Sequence, residues 1–311
     1  MRSRRSEAVG LAAGAVADAV FADPQRGHPV AVFGSAVAAS ERRVYADARG
    51  AGAAFAAGWI GVAAAVGAVL RRGGAVGTAA ATFAALGGTS LCRVGEDIAD
   101  ALDAGDVEEA RRLVSGLVAR DPNLLDEAGI CRAAVESIAE NTSDAAIGPL
   151  VFGAVAGPTG VLAYRAVNTL DAMVGYRSDR YRNFGWAAAR IDDAANLVPA
   201  RVTALAVAAV AGRPRAVREA VRRDAGKHPS PNAGVVEAAF AGALDIELGG
   251  RTVYAYGVEE RPRLGTGRAP TASDLRAAVR LSRRVQMLTA ASAVAARWAL
   301  ATSRSAAPTC P

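Results

Sequence analysis

Cysteine, histidine and aromatic residues are scarce in this chain, and the usual nucleotide-binding signatures are missing. The three cysteines, Cys92, Cys131 and Cys310, have no paired spacing, which argues against a disulfide framework and a cysteine zinc site. Aromatics make up 5% of the residues and no nucleic-acid-binding motif accompanies the basic ones, so the formal charge of +6 does not point to DNA or RNA. Neither G-x-x-x-x-G-K-[ST] nor a strand-borne G-x-G-x-x-G occurs, so any phosphate is not cradled by a familiar glycine-rich loop. Internal repeats and low-complexity linkers are absent. Charge is thin as well, at 21% against 52% hydrophobic residues, and the apolar excess is mostly alanine.

What the chain does have is long stretches without charge. Residues 50–70 and 73–92 are uncharged, each is close to the roughly 20 residues that cross a bilayer, and only Arg71 and Arg72 separate them. They read as a transmembrane hairpin. Further runs are 145–164, 194–212 (interrupted by Arg201) and 286–301 (interrupted by Arg297). Residues 8–22 carry Asp18, and "FADPQRGHPV" follows where a signal-peptide cleavage site would stand, so this is not read as a signal peptide. The competing reading is a soluble, alanine-rich bundle, but two adjacent uncharged 20-mers are unusual in soluble cores. The expectation is an all-α, polytopic integral membrane protein, one membrane-embedded domain over 1–311, with arginine-rich loops retained on the cytoplasmic side.

The polar segments are 23–49, 93–144, 165–193 and 213–285. They contain helical stripes such as "DVEEARRLVSGLVARD" and "LLDEAGICRAAVESIAEN", with 251–258 as the one strand-like stretch and a Gly/Pro-rich loop after it. If every apolar run crossed once, 165–193 would lie opposite the other polar segments. The run 145–164 offers a way out, because Gly148-Pro149 and Gly157-Pro158-Thr159-Gly160 should break it into a re-entrant pair of short helices.

Several patterns carry chemistry. Glu136, Glu140 and Asp144 fall four residues apart, on one face of a helix, and lead into that broken run. Tyr164, Asn168, Asp171 and Gly175 follow a 4-3-4 helical spacing, and Asp192, Asp193 and Asn196 repeat the device before Pro199 and Arg201. Asn and Asp are poor choices inside a helix unless they bind something. Acid and amide faces at the mouths of apolar segments suit a hard cation such as Mg²⁺, which usually brings a phosphate substrate. Arg120, Arg177, Arg180, Arg182, Arg190, Arg201 and Lys227 offer forks and charges for phosphate or carboxylate, although a single arginine is more often a membrane-flanking charge. Both histidines precede proline, in "DPQRGHPV" (His28) and "KHPSPNAG" (Lys227, His228, Asn232), where the backbone is driven to an extended form. Each is a loop histidine, a general base or a phosphate contact; a histidine metal pair lacks regularly spaced further ligands.

The segments "ADPQRGHPV", "RDPNLLDEAGICRAAVESIAENTSDAAIGPL", "YRAVNTLDAMVGYRSDRYRNFGWAAARIDDAANLVPAR" and "KHPSPNAGVVEAAFAGALDIELGG" resemble the CobD/CbiB family of cobalamin biosynthesis, the adenosylcobinamide-phosphate synthases, from about Ala15 to about Leu288. The chain departs from the family pattern at Pro122, Thr266 and Ala172, where threonine, an acid and serine are usual. The resemblance implies a multi-pass protein of the cell inner membrane whose site faces the cytoplasm. The implied reaction joins adenosylcobyric acid to (R)-1-amino-2-propanol or its O-phosphate, as an amide, with ATP and Mg²⁺. It implies metal or nucleotide-Mg²⁺ work for Glu136, Glu140, Asp144, Asp171, Asp192 and Asp193. Arg120, Arg177, Arg201 and Lys227 then contact phosphate, Asn168, Asn196 and Asn232 bind substrate, and His228 or His28, with Lys227 nearby, does the catalytic proton work. Membrane lipid and other corrinoid-pathway enzymes are the expected partners, and nucleic acid is not. A corrinoid transporter or a membrane scaffold is the alternative, although a scaffold needs no acid and amide faces.

Overall fold

Inside a bilayer an uncharged run can satisfy its backbone only by hydrogen-bonding to itself, and the most apolar run of this chain is accordingly helical throughout. In the computed structural model, which describes residues 2–24, 27–118, 122–176, 178–254 and 257–302, it forms part of α3. In chain order the helices are α1 (Arg2–Phe21), α2 (Pro29–Val44), α3 (Arg49–Arg71), α4 (Gly74–Ala85), α5 (Gly88–Asp103), α6 (Val107–Val114) and α7 (Glu127–Asn141). A π-helical turn, Thr142–Ile147, follows. Then come α8 (Gly148–Ala156), α9 (Pro158–Val174), α10 (Tyr181–Phe184), α11 (Trp186–Ala195), α12 (Leu197–Val210), α13 (Pro214–Asp224), α14 (Ala233–Leu244) and α15 (Ala272–Thr302). Between α14 and α15 lies an antiparallel pair, β1 (Leu248–Tyr254) and β2 (Gly257–Leu264).

Helix α3 is about 34 Å long at 1.5 Å per residue, enough to cross a membrane. Only 22% of its most apolar window is buried in the protein, and Val62, Val66 and Val69 point outward, so lipid is the solvent that covers it. A second stretch, Gly74–Asp103, also qualifies, and α11 with α12 forms a broken third candidate. The protein is an all-α membrane protein. The structure shifts the expected boundaries. The run expected over 73–92 is interrupted at Leu86–Gly87 and continues helical to Asp103, while 286–301 lies within the much longer α15, whose charges keep it below the hydropathy of a span.

The chain divides into two compact units: Met1–Gly87 with Asp144–Asn196 and Thr289–Pro311, and Gly88–Ser143 with Leu197–Leu288. In the first, α1 packs on α4 through Gly10 and Gly14. A Cβ on either would lie within 2.7 Å of α4 atoms, the close approach that small residues one turn apart permit. Val37, Phe55, Leu170, Val174 and Phe184 form a core there.

The run 145–164 is broken, as its glycines and prolines suggest. Gly157 stops α8 at φ +64°, ψ −151°, a conformation closed to residues with a Cβ. Phe152 of α8 stacks on Tyr164 of α9 with centroids 5.0 Å apart, and a Cβ on Gly153 would meet Val161, so the two helices run back antiparallel as a hairpin. Nine residues make α8 about 14 Å long, half the thickness of a hydrocarbon core. Glu7 of α1 and Arg297 of α15, both buried, clasp this hairpin: the guanidinium pairs with the carboxylate and donates to the Val155 carbonyl at 2.8 Å, and Arg71 adds a 2.8 Å bond to Glu7.

In the second unit the strand read at 251–258 is half of a hairpin. The stretch expected as loop supplies β2 from Gly257, paired with β1 by Tyr254↔Gly257 and Gly250↔Arg261. Pro262 is tolerated in β2 because a two-stranded sheet has only edge strands.

Candidate functional site

In the second unit, Glu136 and Glu140 lie one turn apart on α7, whose start is fixed by Asp126 accepting from the Gly129 N–H at 2.7 Å. Glu136 is buried; its Oε1 accepts from the N–H of Gly249 at 2.7 Å and its Oε2 from Arg261 Nη1 at 3.1 Å. Gly249 sits where the β1–β2 register slips, at φ +79°, and a Cβ there would lie 2.0 Å from the Pro262 carbonyl, so the bulge that aims this N–H requires glycine. His228, extended before Pro229 as expected, places Nε2 2.8 Å from Arg261 Nη2 and 3.6 Å from Glu237 Oε1. Glu237, in the second turn of α14, is 0% exposed, and its Oε2 accepts no hydrogen bond.

Burial pushes the Glu237 carboxyl well above the usual carboxylate range, and Glu140 and Glu136 add to the rise against the opposing pull of Arg261. Burial and then Arg261 lower His228, which keeps its imidazole neutral. One donor atom each from Glu140, His228 and Glu237 lie within 4.8 Å of one another, and this is the one such group of three among the described residues.

Nearby in that unit, Arg201 donates to Asn232 Oδ1 at 2.7 Å, which brings together two residues expected to hold substrate. Lys227 instead fastens a loop: its Nζ donates to Asp224 Oδ1 at 2.8 Å, and Arg223 and the Gly265 N–H bind the same carboxylate. Burial would raise Asp224, but these three donors outweigh it and hold the carboxyl at about 2.

In the first unit the acid and amide faces meet. Asn196 accepts from Tyr164 Oη at 2.6 Å and donates to Asp192 Oδ2 at 3.0 Å, while Asn168 donates to Asp144 Oδ2 at 3.4 Å. Asp192 Oδ1 is buried and accepts no hydrogen bond. Burial and then the Asp193 charge push Asp171 up to about 6. Asp144 lies in the π turn from Thr142 to Ile147 and bonds within the first unit. His28 caps α2, its Nδ1 accepting from the Val30 N–H at 3.2 Å, and its Nε2 lies 3.2 Å from Asp23. Arg165 lines an apolar cavity of about 400 Å³ with Phe33, Val62, Val66 and Leu70.

Arg120, Arg177 and Cys310 lie outside the described residues. Cys92 and Cys131 are buried free thiols, and burial pushes Cys131 up to about 12, which removes it as a nucleophile.

Two residues central to the second unit, Glu237 and Arg261, escaped the sequence reading. Glu237 had a signal: it is the single charge in the twelve residues of α14, and a lone acid in an apolar helix is costly unless it is used. Arg261 had none, because its position follows from the strand pairing.

The CobD/Cbib protein family model matches residues 11–282 of the chain. A cobalamin biosynthesis protein CobD of Mycobacterium tuberculosis (strain CDC 1551 / Oshkosh) is 54% identical over 291 residues, covering 91% of this chain and 93% of the relative. A protein of the same name from Chromobacterium violaceum is 42% identical over 291 residues, covering 90% and 93%. One from Rhodobacter capsulatus is 50% identical over 188 residues, 60% of each chain. No solved structure matches. By the extent of the family match and the identity to these relatives, the chain belongs to the CobD/CbiB family.

Proposed function

We propose that the protein is a membrane-embedded ligase that joins a carboxylate of adenosylcobyric acid to the amine of (R)-1-amino-2-propanol or its O-phosphate, consuming ATP. Its role in cobalamin biosynthesis goes with the family. What favours an enzyme over a scaffold is the buried Glu237, 0% exposed beside Glu140, Glu136 and His228, because burying an acid costs several kcal/mol and a scaffold has no use for it.

A carboxylate is a poor electrophile. Its oxygen would attack the γ-phosphorus of ATP, releasing ADP and leaving an acyl phosphate; the amine nitrogen would then attack the acyl carbon, expel phosphate and lose a proton. Mg²⁺ supplies charge neutralisation for the nucleotide, and it usually takes only one or two protein carboxylates beside the phosphates. Asp192 fits that demand, since its Oδ1 is buried without a hydrogen bond. Asp171, at about 6, is ionised at neutral pH and is the carboxylate in that unit suited to take the amine proton. In the second unit, Arg201 and Asn232 present a guanidinium and an amide suited to a phosphate. Dependence on ATP favours the cytoplasmic side of the inner membrane for these groups, and the α8–α9 hairpin, whose α8 is too short to cross, would enter and leave on that side.

The reading is tested with purified protein in detergent, adenosylcobyric acid, ATP and aminopropanol phosphate. Asp171→Ala and Glu140→Ala should abolish amide product while the protein stays folded; wild-type activity in both would refute the assignment.

A further inference from the structure

In the second unit Arg261 pairs with Glu136 at 3.1 Å and with Glu237 at 3.4 Å, and Glu140 lies beside Glu237. Buried carboxylates persist only when paired, protonated or bound to a metal. The Oε2 of Glu237, on a side chain 1% exposed, accepts no hydrogen bond. We infer that Glu140, His228 and Glu237 bind one divalent metal ion of the borderline class, such as Zn²⁺, Mn²⁺ or Co²⁺, distinct from the Mg²⁺ of a nucleotide.

The donor set decides the class. Mg²⁺ prefers oxygen alone, whereas an imidazole with two carboxylates is the ligand set of borderline transition metals. The donor atoms already lie within 4.8 Å of one another, close enough for an ion to draw them in to bonds of roughly 2 Å.

The imidazole is prepared for it. Arg261 only donates, so the His228 Nε2 that it contacts at 2.8 Å presents a lone pair, the form in which an imidazole binds a metal. When the ion binds, Arg261 gives up Nε2 and keeps its 3.1 Å bond to Glu136.

The inference does not depend on the ligase reaction, and its test uses no corrinoid, amine or ATP. The untagged full chain, purified in detergent and stripped with chelator, is titrated with Co²⁺. The expected result is about one Co²⁺ per chain with visible d–d bands, displaced by Zn²⁺ but not by a roughly hundredfold excess of Mg²⁺. Glu237→Gln, Glu140→Gln and His228→Gln should each weaken Co²⁺ binding about tenfold or more. The metal-free Glu237→Gln protein should melt no lower than wild type, because it loses a buried acid. No stoichiometric uptake by the wild type, displacement by equimolar Mg²⁺, or binding unchanged in all three variants would overturn the inference.

Discussion

Arg261 Nη1 donates to Glu136 Oε2 across 3.1 Å, joining residues 125 positions apart in the chain. The same guanidinium touches His228 and Glu237. Removing one partner of a buried ion pair typically costs about 3–5 kcal/mol. Arg261→Met should therefore lower the unfolding temperature in detergent by several degrees, and a variant that melts with the wild type would show that the pair contributes nothing.

The Glu7–Arg297 pair should behave as a unit. Arg297→Met alone takes from the buried Glu7 carboxylate its buried partner and should cost about 3 kcal/mol or more, whereas Glu7→Gln with Arg297→Met should recover most of it. The measurement is a double-mutant cycle by thermal or denaturant unfolding; additive losses would contradict the coupling.

Gly157 holds the α8–α9 hairpin open at φ +64°, and a Cβ there would lie 2.5 Å from Glu7 Oε2 and 3.0 Å from Arg297 Nη2. Gly157→Ala should destabilise the protein by about 1–3 kcal/mol through backbone strain and the disturbed ion pair. An unchanged melting temperature would mean that the chain turns elsewhere.

Asp171 makes a pH-dependent prediction. Its folded-state pKa, about 6, lies above the ordinary 3.8, because burial and then Asp193 disfavour the charge. Below about pH 4 the carboxyl is neutral in both states and contributes nothing; above pH 6 it is ionised in both, and the folded state carries the cost. Asp171→Asn should thus be more stable than wild type at pH 8, by on the order of 2 kcal/mol, with the difference gone by about pH 4. A variant less stable than wild type at pH 8 would contradict this. Loss of amide formation in the same variant would show that the strain is kept for function.

How much was legible follows from what is local. The uncharged run of α3 and the break at Gly157-Pro158 each depend on neighbouring residues, and the sequence shows them directly. The acid and amide spacings of 164–175 and 192–196 also survive, because α9 and α11 are regular there. The π turn from Thr142 to Ile147 was not legible, because it has no composition signature. Arg261 was missed because its role comes from a strand pairing of Gly250 with Arg261, a contact no periodicity encodes.

The most direct test of the central claim is mass spectrometry of the corrinoid product, with ADP measured in parallel, using purified protein, adenosylcobyric acid, ATP and either amine. The account predicts an amide product with one ADP released per bond formed. Corrinoid bound or moved across a vesicle membrane without any amide formed would contradict it and favour a transporter.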